Sequence, residues 1–134
     1  MYEINFICRG NVWRSRVAEA YAKYLLHDNS DIHISSSGIE ASKDYVGPIN
    51  IYTKLLLVRD GLWQYAHPDW VQTTQKIIDE SDLTVFMNHD VYHDAVGLFK
   101  IPEKGLVIWA IPDRDEEYEN IKSNVDKLVS KYLK

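Results

Sequence analysis

One short segment of the sequence carries the residue types of phosphate chemistry. The only cysteine of the chain, Cys8, begins the run CRGNVWRS, which ends at Ser15. A cysteine thiolate is a strong nucleophile, and the five residues between Cys8 and Arg14 are enough chain to curl around a tetrahedral anion. In such a turn, Gly10 and Asn11 tolerate the unusual backbone angles that point successive N–H groups inward. The segment therefore predicts a nucleophile, a ring of amide donors and a cation around one phosphate.

The elements on either side of this segment favour the same chemistry. The apolar residues of 2–7 predict a strand before Cys8, and the apolar spacing over 15–27 predicts a helix after Arg14. The N-terminus of that helix directs its positive end and its free N–H groups toward the anion. Arg14 can then bind two phosphate oxygens through its planar fork, and Ser15 can donate a hydrogen bond to the sulfur. We expect this field to favour a thiolate at Cys8.

The loop as a whole is the predicted binding site, with Cys8 and Arg14 as its catalytic residues. The other loop residues are expected to bind the substrate: Arg9, Gly10, Asn11, Val12, Trp13 and Ser15. The alternative for a lone cysteine is a buried structural residue in a turn between a strand and a helix. That alternative leaves the Gly-Asn pair and the arginine without a role, so we prefer the nucleophile.

Strands and helices alternate along the rest of the chain. Apolar runs predict three further strands, over 32–36, 83–87 and 106–111. Helical spacing predicts further helices over about 48–61, 70–80 and 91–99 and at the C-terminal end. In the first of these, Ile51, Leu55 and Val58 form one apolar face. The alternation predicts an α/β fold with a parallel sheet covered on both faces, as a single domain over residues 1–134. Cys8 and Asp113 then both follow carboxyl ends of strands, where such sheets bind ligands.

Composition and charge narrow the class of protein. The formal net charge of −5 disfavours bulk attraction to nucleic acid or to an anionic membrane. No apolar run approaches the ~20 residues that span a bilayer, and the first residues do not resemble a signal peptide. One cysteine allows no internal disulfide, which suits a reducing compartment. We therefore expect a cytoplasmic protein, acting as a monomer.

Residues 7–15 resemble the signature loop of the low-molecular-weight protein tyrosine phosphatases. The resemblance continues more weakly through most of the chain, in segments 17–20, 36–38, 47–48, 81–88 and 108–113. It implies a four-stranded parallel sheet in a flavodoxin-like three-layer sandwich. It also implies a phosphocysteine intermediate, no metal and no other cofactor. The implied substrates are phosphotyrosine proteins or small aryl phosphates.

The resemblance also implies a general acid and a set of residues that support the loop. The acid follows the fourth strand, where Asp113 matches best and Asp115 competes, because Arg114 stands where the family usually has proline after the acid. Ser36 and His67 occupy the places of residues that support the loop asparagine. Each of these two is also compatible with a local turn or cap.

Two departures from the family pattern lie inside or beside the loop. Trp13 stands where the family usually has a second cysteine, so a protective disulfide with Cys8 is excluded. The ring of Trp13 either walls the pocket or packs outside the loop. Arg16 stands where the family usually has proline. We expect Arg16 to be a solvated helix residue rather than an added charge at the mouth of the pocket.

The favoured reaction is phosphomonoester hydrolysis, with three alternatives on the same loop. They are arsenate reduction with a small thiol, a phosphocarrier that keeps its phosphocysteine for a partner, and a non-catalytic anion-binding module. A fourth kind of site is disfavoured: His89 and His93 are four residues apart, but a charged surface helix explains them better than a metal does.

Overall fold

The computed structural model describes residues 1–41 and 47–132. The strands are β1 (Tyr2–Cys8), β2 (Ile32–Gly38), β3 (Leu83–Phe86) and β4 (Leu106–Ile108). The α-helices are α1 (Arg14–Leu25), α2 (Ile51–Arg59), α3 (Gln75–Glu80), α4 (His89–Leu98) and α5 (Tyr118–Tyr132). Single 3-10 turns cover Trp63–Tyr65 and Asp115–Glu117. The strands form one parallel sheet in the order β2-β1-β3-β4, which confirms the predicted fold class.

Strand β1 is buried because its two faces meet two separate apolar layers. Ile4 and Phe6 belong to the larger core cluster, together with apolar residues of α1 and α5. Ile7 points to the other side and packs in a smaller cluster with residues of α3 and α4. Five of the seven residues of β1 are apolar, and Asn5, although polar, is buried in hydrogen bonds with Ser35 and Ser37, as suits a central parallel strand. This burial also fixes Cys8 at the carboxyl end of the sheet.

The predicted helix over 70–80 is wrong in its first half. Only α3 is helical, and it begins after Thr74, whose hydroxyl accepts a hydrogen bond from the backbone N of Ile77 at 3.2 Å. The residues before it run extended beside the end of β2: Gly38 N donates to Val71 O, and Thr73 N donates to Gly38 O, both at 2.9 Å. The hydroxyl cap and this pairing outcompete helix formation.

The apolar face expected on α2 lies toward solvent instead of the core. Ile51, Leu55 and Val58 are 52% to 62% exposed, whereas Thr53 and Leu57 are fully buried. Thr53 and Leu57 are four residues apart and therefore share one side of the helix, which faces the core. The sequence pattern showed a stripe but did not show which side of the helix meets the sheet.

Two further boundaries differ from the prediction. Strand β4 ends at Ile108, although Trp109 and Ile111 still donate backbone hydrogen bonds to Phe86 O and Met87 O, at 2.8 and 2.9 Å. Helix α4 begins at His89, because the side chain of Asn88 caps it through the backbone N of Val91. Within the described residues, no helix has both the length and the apolar character needed to cross a bilayer.

Candidate active site

The loop between β1 and α1 turns its carbonyl groups outward. Five of these oxygens accept hydrogen bonds from outside the turn: Cys8 O from Ile39 N (3.1 Å), Arg9 O from Glu40 N (2.8 Å), Asn11 O from Arg16 Nη1 (3.0 Å), Val12 O from Asn50 N (3.0 Å) and Trp13 O from Val17 N (3.1 Å). In a trans peptide the C=O and the next N–H point in opposite directions. The amides of residues 9, 10 and 12–14 therefore face the inside of the turn, as an anion nest requires.

The inside of the turn is a pocket of about 240 Å³. Its lining residues come from the loop, from the start of α2 and from the segment after β4: Cys8, Arg9, Gly10, Val12, Trp13, Arg14, Asn50, Asp113 and Asp115. The loop and the two aspartates are thus brought together, although about a hundred residues separate them in sequence. Parallel strands explain this, because β1 and β4 both end at the same edge of the sheet.

The sulfur of Cys8 lies at the base of this pocket and meets hydrogen-bond donors. The backbone N–H of Asn11 donates to Sγ at 3.2 Å, and Ser15 Oγ lies 2.9 Å from it. Ser15 Oγ already accepts a hydrogen bond from Asn11 Nδ2 at 2.8 Å, so its own proton is free to be donated to the sulfur. Such donors stabilise a thiolate in preference to a thiol.

Asn11 holds the loop backbone in an unusual conformation. It is fully buried and has φ +56°, the only positive φ at a non-glycine residue among those described. Its side-chain Oδ1 accepts from Val71 N at 2.8 Å, and its Nδ2 donates to both Ser15 Oγ and Ser36 Oγ at 2.8 Å. Three hydrogen bonds hold the left-handed conformation, which asparagine tolerates better than most residues.

A buried carboxylate stands behind Asn11. Ser36 Oγ donates to Glu19 Oε1 at 2.5 Å, and His67 Nε2 lies 2.8 Å from the same oxygen and 3.2 Å from Ser36 Oγ. Burial tends to raise the pKa of Glu19, but His67 and Lys23 outweigh it and hold that pKa below its ordinary value. The structure therefore places Ser36 in contact with Asn11, and places His67 behind Ser36 with Glu19, a residue that was not among the predicted site residues. The available signal was its i, i+4 spacing to Lys23.

Arg14 is held in place by the segment that follows β4. Its side chain is 5% exposed, Nη1 donates to Ile111 O at 2.9 Å, and Nε lies 3.8 Å from Asp113 Oδ1. Asp113 is 73% exposed at the pocket mouth, and Asp115 lines the same mouth from the following 3-10 turn. Asp113 thus stands beside the cation that would hold the phosphate, whereas no ion pair or hydrogen bond among the described residues joins Asp115 to Arg14.

Arg9 takes a different part from the one expected of a binding cation. Its guanidinium forms ion pairs with Glu40 at 3.1 Å and with Asp94 at 2.8 Å. These two carboxylates fasten the outer side of the loop to the segment after β2 and to α4. The contribution of Arg9 to the nest comes through its backbone, since its amide faces inward and its carbonyl is paired outside.

The two departures from the family pattern are both buried. Trp13 lines the pocket, and it is also 8% exposed and packed in the larger core cluster; its Nε1 has no hydrogen-bond partner among the described residues. Arg16 is fully buried, so the expectation of a solvated helix residue is wrong. Its guanidinium donates to three backbone carbonyls, those of Asn11, Pro48 and His67, whereas its Nε is buried without a partner among the described residues.

Gly38 and Asn50 also shape the pocket, although neither is among the predicted site residues. A Cβ on Gly38 would lie 2.6 Å from Arg9 O, so β2 can approach the loop only without a side chain there. Asn50 caps α2 through its side chain and binds the loop through its backbone N. Among the described residues, no three His, Cys, Asp or Glu side chains converge as a metal site, and His89 and His93 are exposed on α4.

The fold is shared with solved structures of phosphatases and of an arsenate reductase. A low molecular weight phosphotyrosine phosphatase from Vibrio cholerae O395 superposes with a TM-score of 0.83 at 19% identity, covering 100% of this chain and 98% of that one. SP-PTP, a low molecular weight protein tyrosine phosphatase from Streptococcus pyogenes, has a TM-score of 0.82 at 19% identity, covering 100% and 95%. The thioredoxin-dependent arsenate reductase of Corynebacterium glutamicum has a TM-score of 0.72 at 22% identity, covering 97% and 61%.

The sequence itself supplies the assignment to a family. No curated protein matches the chain. The family model described as low molecular weight phosphotyrosine protein phosphatase matches residues 3–108, a range that includes the whole anion loop and all four strands except Tyr2, the first residue of β1. This match covers well over half of the chain and agrees with the fold and with the loop geometry. The chain belongs to the low molecular weight phosphotyrosine protein phosphatase family.

Proposed function

We propose that this protein hydrolyses phosphate monoesters of phenols, namely phosphotyrosine side chains or small aryl phosphates, through a phosphocysteine intermediate. One observation carries the proposal: the sulfur of the only cysteine lies inside a ring of inward-facing amides, beside the buried guanidinium of Arg14. A tetrahedral dianion bound there has its phosphorus within reach of the sulfur. The amides and Arg14 meet the oxygens on which negative charge is held.

The first step transfers the phosphoryl group to the protein. The Cys8 thiolate attacks phosphorus in line, so an S–P bond forms as the ester O–P bond breaks. The phenolate oxygen leaves on the side of the pocket mouth, where Asp113 donates a proton to it. Proton donation of this kind contributes about 10²–10⁴-fold to the rate.

The second step returns the protein to its starting state. The carboxylate of Asp113 accepts a proton from a water molecule that attacks phosphorus, and the S–P bond breaks to release inorganic phosphate. The proton of Ser15 then stabilises the departing thiolate of Cys8, as its 2.9 Å distance from the sulfur allows. No cofactor enters this sequence of bonds.

Asp113 is preferred over Asp115 because of its neighbour. Its carboxyl group lies 3.8 Å from Arg14 Nε, so a proton that it donates can reach the leaving oxygen of a phosphate ester that Arg14 binds. The other possible reactions of the loop are less well supported. A disulfide relay of the thioredoxin-coupled kind needs a second cysteine, and this sequence has only one cysteine in total. The lone cysteine and the acidic net charge also support our assignment to a reducing, cytoplasmic compartment and to substrates other than nucleic acid.

The test is hydrolysis of p-nitrophenyl phosphate and phenyl phosphate across pH by the wild type and by Cys8→Ser. We expect turnover by the wild type and none by Cys8→Ser, with a phosphorylated wild-type protein trapped by rapid acid quench. Wild-type protein without turnover of either ester would refute the proposed function. Equal activity of Cys8→Ser would refute the covalent mechanism, and arsenite production from arsenate with a small thiol would indicate the reductase instead.

A further inference from the structure

Arg16 is the largest side chain that the fold buries completely. It lies on α1, one residue after Ser15, and its guanidinium points beneath the anion loop. Nη1 donates to Asn11 O at 3.0 Å and to Pro48 O at 2.8 Å, and Nη2 donates to His67 O. One side chain thus joins the loop, the segment before α2 and the segment before α3.

The guanidinium is held by carbonyl groups rather than by a carboxylate. No described carboxylate lies within 4.0 Å of it, the limit for an ion pair. Burial lowers the pKa of Arg16, while the negative charges of Glu19 and Cys8 oppose that decrease. A buried cation costs free energy unless it is well paired. Three hydrogen bonds to carbonyl groups offset part of this cost, while Nε is buried without a partner among the described residues.

The direction of the Asn11 carbonyl determines the direction of the next amide in the loop. Asn11 has φ +56°, and its C=O must point away from the pocket for the N–H of Val12 to point into it. A buried carbonyl without a donor destabilises the conformation that buries it. Arg16 supplies that donor from below, so the same contact that satisfies Asn11 O also sets the direction of the Val12 amide.

The second contact fixes one wall of the pocket relative to its floor. Pro48 lies two residues before Asn50, which lines the pocket and donates its backbone N–H to Val12 O at 3.0 Å. Nη1 of Arg16 bonds both Pro48 O and Asn11 O, so the start of α2 and the loop share one donor atom. If the loop moved relative to the segment before α2, Arg16 would lose its hydrogen bond to Asn11 O or to Pro48 O.

We propose that Arg16 is a positioning residue of the phosphatase reaction, which aims the loop amides at the phosphate and sets the distance between the loop and the start of α2. This inference rests on the proposed function for its catalytic meaning. It concerns a residue that stands where the family usually has proline, which has neither a charge nor a side-chain donor.

The experiment compares Arg16→Met, Arg16→Lys and, as a matched control, Arg59→Met, which removes an exposed arginine of α2. Three quantities are measured well below the melting temperature: kcat and KM for p-nitrophenyl phosphate, the Kd for inorganic phosphate from 15N shifts of the loop amides, and hydrogen exchange of residues 9–14. A site displaced by a fraction of an ångström loses about 10–100-fold in rate. We expect Arg16→Met to lose that much in kcat, to bind phosphate about tenfold more weakly and to exchange the Asn11 amide, which donates to Cys8 Sγ, faster.

The lysine variant separates positioning from simple loss of packing. Lysine keeps the charge but loses the planar fork, so we expect partial rescue of phosphate binding and of kcat. Arg59→Met should match the wild type in all three measurements. Where Arg16→Met does not fold, Arg16→Lys decides by the same measurements. Wild-type values of kcat, phosphate Kd and loop exchange in the folded Arg16 variant would overturn the inference.

The outcomes also distinguish this inference from the proposed function. A wild type that binds phosphate without hydrolysing esters refutes the phosphatase, and the phosphate Kd of the Arg16 variants still tests the positioning role. A wild type that neither binds phosphate nor hydrolyses esters also refutes the phosphatase. The exchange rates of residues 9–14 then decide alone, with unchanged rates counting against Arg16.

Discussion

Replacing Gly38 with alanine would press one methyl group into the backbone of the anion loop. Gly38 ends β2, and a Cβ there would lie 2.6 Å from Arg9 O, 2.7 Å from Asn11 N and 2.8 Å from Gly10 C. An ordinary contact begins at 3.4 Å, so the loop backbone would have to retreat by about 0.8 Å. None of these three atoms belongs to a flexible side chain, so the displacement moves the amides that bind the phosphate.

Two magnitudes follow from this displacement. Overpacking of this size costs about 1–3 kcal/mol in the free energy of unfolding. A shift approaching 1 Å at a reacting centre costs about 10²-fold in rate. We therefore expect Gly38→Ala to lower kcat/KM for p-nitrophenyl phosphate by about two orders of magnitude and to lower the urea midpoint. Steady-state kinetics and urea unfolding followed by circular dichroism measure these two effects.

Gly97 provides the matched control for this substitution. It lies in α4, and a Cβ there would meet nothing within 4 Å. Because alanine favours a helix over glycine by up to about 1 kcal/mol, Gly97→Ala should be neutral or stabilising and should keep wild-type kinetics. If Gly38→Ala behaves like Gly97→Ala in both assays, the reasoning that β2 braces the loop at this contact is refuted.

Three further predictions concern the acid, the buried carboxylate and the thiol. Asp113→Asn should lower kcat for phenyl phosphate by about 10²–10⁴-fold, because its phenolate is a poor leaving group without a proton. Asp115→Asn should lower kcat less than tenfold. The reverse order would assign the general acid to Asp115. Glu19→Gln should cost roughly 3 kcal/mol of unfolding free energy at pH 7, because it leaves His67 and Lys23 without their carboxylate. The pKa of Glu19 is lowered in the folded state, so its contribution is present above the unfolded value of about 4.3 and is lost as pH falls through the lower folded value. Urea unfolding at pH 7 and pH 3.5 measures this, and a deficit that does not shrink at the lower pH contradicts the argument. Peroxide should oxidise Cys8 without forming an intramolecular disulfide, since there is no second cysteine; intact mass before and after reduction checks this, and a wild-type mass with full loss of activity would contradict it.

The features that the sequence predicts correctly are encoded locally. The loop lies in eight consecutive residues, and the alternation of strands and helices determines that Cys8 and Asp113 reach one edge of a parallel sheet. Both facts depend on neighbours along the chain. For the same reason the order of the strands, which depends on crossovers, was left open by the pattern.

The residues that were missed have partners far away in sequence. Arg16 donates to the carbonyls of Pro48 and His67, which lie 32 and 51 residues away, and a charged residue on a helix gives no sign of such partners. The exposed stripe of Ile51, Leu55 and Val58 shows the same limit in an apolar pattern. Spacing shows that side chains share a face, but packing decides which face is buried.

The ion pairs of Arg9 bear on how a substrate approaches. Two carboxylates, Glu40 and Asp94, neutralise that guanidinium, and Asp113 stands beside Arg14. The protein as a whole carries a net charge of −5, so little positive field extends beyond the mouth of the pocket. A dianionic ester is therefore held at contact, by amides and by Arg14, and is not drawn in from a distance. Raising the ionic strength screens the repulsion between two acidic molecules over about 10 Å at 0.1 M, so encounter with an acidic phosphoprotein becomes faster, not slower, as salt is added.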